Sequence, residues 1–74
     1  SKGEDSDSIV KINIPAGSLP NKIGEILESN GLVENKNTFI EKTIEMKMDT
    51  KLKSGDFEIP KNSTIEEILG ILSK

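Results

Sequence analysis

A short pattern near the start of the chain returns in the same register 45 residues later. Ile12-Asn13-Ile14-Pro15-Ala16-Gly17-Ser18 aligns with Phe57-Glu58-Ile59-Pro60-Lys61-Asn62-Ser63. Identities fall at Ile14/Ile59, Pro15/Pro60, Ser18/Ser63, Ile23/Ile68, Ile26/Ile71 and Leu27/Leu72. An Ile-rich chain matches Ile and Leu by chance, but chance does not easily put Pro and Ser in step as well.

The repeated unit has a readable course. Val10, Ile12 and Ile14 alternate with Lys11 and Asn13, and Phe57 and Ile59 alternate with Asp56 and Glu58. That period of two is a half-buried strand. Each run then meets Pro, whose fixed φ and missing N–H stop a ladder and suit the second position of a turn. Gly17 and Asn62 follow as residue types that tolerate a left-handed backbone. Ser18 and Ser63 are then expected as helix N-caps, with Glu66 completing a capping box on Ser63.

The first helix is expected from Leu19 to Ser29, with Leu19, Ile23, Ile26 and Leu27 on one face and Asn30-Gly31 as its stop. Leu32 and Val33 form a short apolar plug. A second helix is expected from Asn35 or Asn37 to Met48, burying Phe39, Ile40, Ile44 and Met48. The third, from Thr64 to Ser73, carries Ile65, Ile68, Leu69, Ile71 and Leu72. The resulting fold class is α+β in the order β-α-α-β-α, two strands paired antiparallel under three helices. Residues 1–8 are polar, charged and aperiodic, and read as a flexible leader before a single domain at 9–74.

Composition narrows the function. The chain has 74 residues without Cys or His, which removes disulfides, thiolate metal sites and the commonest general base. Two Phe are the only aromatics and the net charge is −3, so the basic stripe and stacking rings of a nucleic-acid binder are missing. No run approaches the roughly 20 apolar residues of a membrane helix. Membrane contact is expected only through an anchor upstream of the chain. No cofactor and no metal are expected, and the chain reads as a binding module, not an enzyme.

The ordered set Ile14-Pro15-x-Gly17-Ser18, an amphipathic helix, Gly31-Leu32-Val33, Phe39, Leu52-Lys53-x-Gly55-x-Phe57-x-Ile59 and a capped last helix resembles the YceG-like family. Its members are endolytic murein transglycosylases, MltG. The similarity is to their N-terminal LysM-like subdomain and spans Ile9 to Lys74. It implies an extracytoplasmic module of the bacterial cell wall, anchored to the membrane in the full-length protein. The family's catalytic Glu lies in a domain after this one, so no catalytic residue is carried over. Phe57 stands where the family commonly has Tyr. LysM modules bind N-acetylglucosamine-containing glycans near the loops from strand one to helix one and from helix two to strand two. On this chain the resemblance puts ligand contact at Ala16, Gly17, Ser18, Asp49, Thr50, Lys51, Lys53 and Ser54. The partner it implies is peptidoglycan glycan; the alternative is a protein of an envelope, division or sporulation complex.

Other candidates have simpler readings. Glu66 and Glu67 are adjacent carboxylates, but helix neighbours diverge by about 100° and a glycosidase needs two carboxyls facing one bond. They read as a solvated helix start favoured by the dipole. Ser18 and Ser63 lack a base and read as caps. Lys51 and Lys53 lack the glycine cradle of a phosphate site. Asn62-Ser63-Thr64 fits a glycosylation sequon, and a capped turn explains it. Met46 and Met48 read as gap-filling core or rim residues.

Overall fold

A computed structural model describes residues 8–74. The leader expected at 1–8 lies, apart from Ser8, outside them. Two strands, β1 (Ile9–Ile14) and β2 (Gly55–Pro60), and three helices, α1 (Pro20–Ser29), α2 (Lys36–Glu45) and α3 (Ile65–Leu72), follow in the order β-α-α-β-α. The strands pair antiparallel, with Ile9 opposite Pro60, Ile12 opposite Phe57 and Ile14 opposite Gly55.

This register carries the repeat into three dimensions. Ile12 and Phe57 are equivalent in the two copies and are also partners across the ladder. A local two-fold therefore passes through that pair, relating one strand-turn-helix unit to the other. The ladder's phase is set just beyond its end, where Lys61 donates its N–H to the Ser8 carbonyl at 2.8 Å. Antiparallel ladders alternate hydrogen-bonded and non-bonded pairs, so the Ile9–Pro60 pair falls in the non-bonded class. Pro60 thus lacks an N–H only where one would point away from β1, and the ladder loses nothing.

Both units place Pro at the first position of the turn, not at the second as the sequence suggests. Pro15 is the first residue of its turn: its carbonyl accepts from the Ser18 N–H at 3.2 Å and the Ser18 hydroxyl at 2.6 Å. Pro60 accepts from Ser63 likewise, at 3.1 and 2.7 Å. Each serine is spent on the turn and caps no helix. Gly17 has φ +81°, whereas Asn62 keeps a negative φ, so the two turns differ in type. The N-cap of α1 is Leu19, extended and without a side-chain bond, because Pro20 disfavours helical geometry in the residue before it. The N-cap of α3 is Thr64, and its capping box uses Glu67 in place of the expected Ser63 and Glu66. Glu67 N–H donates to Thr64 Oγ1 at 3.1 Å, and Thr64 N–H donates to Glu67 Oε1 at 2.8 Å.

The core is aliphatic apart from Phe39. Ile14, Ile23, Leu27, Ile59, Ile68, Leu69 and Leu72 are fully buried, and Leu32 and Val33 close one end. α1 lies against β1, α3 against β2, and α2 packs chiefly on α1. That last contact requires Gly24: a Cβ there would come within 3.2 Å of Lys36 Cβ and 3.4 Å of the Phe39 ring. Two features of α2 depart from expectation. It ends at Glu45, with Met46 as C-cap and Lys47 at φ 58°, so Met48 lies beyond it. Its buried stripe is Phe39 and Thr43; Ile40 and Met48 are half-buried, and Ile44 is 58% exposed. Ile44 stands about 140° around the helix from Phe39, outside the narrow strip that α1 and α3 cover. Thr43 fits inside because its hydroxyl donates to the Phe39 carbonyl at 2.7 Å.

Candidate functional site

The pairing of Ile14 with Gly55 brings two connections side by side: the turn leaving β1 and the segment entering β2. Between them lies an open cleft of about 470 Å³, lined by Ile14, Pro15, Gly17, Ser18, Leu52, Lys53 and Ser54. Lys53 N–H donates to the Leu72 carbonyl at 2.8 Å, which fixes the incoming segment on the end of α3. Across Gly17 and Ser18 the surface continues into a shallower hollow that adds Ala16, Leu19, Asn21 and Lys22. Together they form one trough over the first turn.

Of the residues named from sequence, Gly17, Ser18, Lys53 and Ser54 meet in the cleft, and Ala16 joins them in the adjoining hollow. Asp49, Thr50 and Lys51 sit on an exposed turn, closed by Lys51 N–H donating to the Met48 carbonyl at 2.9 Å, outside both linings. Asn21 and Lys22 were not anticipated as site residues. Their signal was available, since a turn that runs directly into a helix puts that helix's first residues beside it.

The trough offers polar groups of several kinds. Ser18 Oγ gives its hydrogen to Pro15 and retains lone pairs to accept with. Lys22 and Lys53 pair with no carboxylate among the described residues. The exposed side chain of Leu19, 72% accessible, supplies an apolar surface beside them. An arrangement of hydroxyl, amide and ammonium groups around an aliphatic surface can hold a polar ligand.

The carboxylates considered for chemistry are engaged elsewhere. Glu66 pairs with Lys42 across α2 and α3 at 3.5 Å, and Glu67 belongs to the capping box. The Lys42 ammonium also meets Glu45 at 3.3 Å. The hydrogen bond and charge of Glu45, then the charge of Glu66, hold it above the usual lysine range. Among the described residues no group of His, Cys, Asp or Glu is arranged to hold a metal ion, and no helix is long and apolar enough to cross a membrane.

No family model and no curated protein matches the sequence. Among solved structures, a yceG-like protein from Listeria monocytogenes is similar, with a TM-score of 0.80 and 28% identity over 88% of this chain. The match covers 21% of that protein, so the chain spans about a fifth of its length and is a small module by comparison. By fold and by shared residues, the chain fits the YceG-like family as a partial domain.

Proposed function

We propose that this chain is a non-catalytic, LysM-like module that binds peptidoglycan glycan and holds the rest of a longer envelope protein on the wall. The observation behind this reading is the likeness to a YceG-like protein, joined to a trough at the turn after β1. The trough is open, so it suits an extended polymer that lies across the surface. Its hydroxyl and amide groups can hydrogen-bond acetamido and hydroxyl substituents, and Pro15 and Leu19 give apolar faces on which a sugar ring can rest. Weak binding by such a surface becomes useful through the many sites on one polymer. The same reading makes the protein extracytoplasmic and anchored by a segment outside this chain.

The test is retention of the pure chain on insoluble peptidoglycan at low salt, with serum albumin as control. The reading predicts retention, and flow-through equal to albumin sinks it. A second reading, docking on an envelope protein, draws on a different surface. Ile44 and Met46 are 58% and 41% exposed, with half-buried Ile40 one turn before Ile44. An apolar patch of this kind favours a protein partner over a sugar. Under that reading Ile44→Glu abolishes assembly while leaving wall retention unchanged.

A further inference from the structure

The charges around the trough differ from those elsewhere on the molecule. The chain carries 13 acidic and 10 basic residues, so an average hollow on its surface should show carboxylates. Three hollows do. One beside α3 includes Glu67, one on the outer face of the sheet includes Asp56 and Glu58, and one between the starts of α2 and α3 includes Glu34. The two hollows that make up the trough include Lys53 and Lys22 and no carboxylate. Two lysines of α2 are matched, Lys36 with Glu25 and Lys42 with Glu45 and Glu66. Lys22 and Lys53 are not, among the described residues.

Resting on the glycan reading, we infer that the trough selects acidic glycans, sugar chains whose substituents carry carboxylates, over neutral chains of the same backbone. A neutral N-acetyl aminosugar polymer would use the hydroxyl and amide groups and leave both ammonium groups unanswered. A chain with carboxylates projecting from alternate sugars would place negative charge against them. Each contact is exposed and modest, and two on one ligand reinforce each other. The overall negative charge of the chain weakens long-range attraction, so the preference appears at contact and is screened by salt.

The test is calorimetric titration of the intact chain with three ligands of matched length. These are a neutral N-acetylglucosamine oligomer, a peptide-free peptidoglycan oligomer with free lactyl carboxylates, and that same oligomer as its methyl ester. At low salt the acid form is expected to bind about five- to tenfold more tightly than the ester or the neutral oligomer. The advantage should vanish in K22Q/K53Q and shrink at 0.3 M salt. Both side chains are exposed, and an unchanged urea midpoint shows that the double variant is folded. Equal affinity for acid, ester and neutral forms overturns the charge preference and leaves glycan binding standing. Failure of all three to bind overturns glycan binding and the preference with it.

Discussion

Lys47 adopts φ 58° where the chain leaves α2, and Gly31 adopts φ +73° where it leaves α1. Both occupy the same position in the same motif. Gly31 donates to the Glu28 carbonyl at 3.0 Å and Leu32 to Leu27 at 2.9 Å; Lys47 donates to Ile44 and Met48 to Thr43, each at 2.9 Å. These are Schellman endings, which favour glycine because a Cβ crowds the following carbonyl oxygen there. Lys47→Gly is therefore expected to stabilise by about 0.5–1 kcal/mol, and Gly31→Ala to destabilise by about 1 kcal/mol or more, read from urea unfolding. Two changes of the same sign would contradict the shared motif. The helix starts make a second pair. Thr64→Ala removes a reciprocal cap and should cost about 1 kcal/mol. Ser63→Ala and Ser18→Ala each lose a hydroxyl-to-carbonyl bond in an exposed turn and should cost less, by similar amounts. Serine was legible in the sequence as a conserved punctuation of the two copies. Its task was not, because Ser-Thr and Ser-Leu-Pro offer the backbone neighbouring starting points, and only the turn ahead decides which residue is left to cap.

At the scale of elements, α2 was the least legible part of the chain. Its apolar residues at 39, 40, 44 and 48 suggest a broad buried face. Burial follows the neighbouring helices, and they cover only the strip through Phe39 and Thr43. A threonine that satisfies its own hydroxyl within the helix is invisible to a hydrophobic pattern. Ion pairs flank that strip: Lys36 reaches Glu25 on α1, and Lys42 reaches Glu66 on α3. Since Glu45 is the main cause of the raised Lys42 value, Glu45→Gln should lower the Lys42 titration midpoint more than Glu66→Gln does. Carbon-detected NMR of the lysine side chains reads this directly. A larger fall in the Glu66 variant would reverse the ranking. The sign for stability follows from the raised value. The contribution of Lys42 is fully present below the ordinary lysine range, near about 10.4, and is lost as pH climbs through its own higher midpoint. With both carboxylates replaced, the loss of stability across this alkaline window should shrink.

At the scale of the whole molecule, the repeat predicts more than the order of elements. The alternating strands and the Pro-to-Ser spacing revealed two like halves, and the ladder joins those halves at their equivalent centre, Ile12 against Phe57. The cleft is less symmetric than the frame. It combines the first turn with a segment 34 or more residues away, and no local pattern announces which residues a register will bring together. Ile14 and Ile59 occupy matching places, both at most 1% exposed on the inner face of the sheet. Four positions separate their places along the ribbon, because Ile14 sits opposite Gly55, which puts them roughly 13 Å apart at about 3.3 Å per residue. Ile14→Val and Ile59→Val should then each cost about 0.5–1.5 kcal/mol, and their costs should add to within about 0.5 kcal/mol in the double variant. Both halves close one core, so neither has an apolar interior of its own to fall back on. Urea unfolding should accordingly remain a single transition with one slope in the parent, in each variant and in the pair. Two resolved transitions, or a variant that melts one helix while the other half persists, would mean that the halves are separate units and that the shared core does not join them.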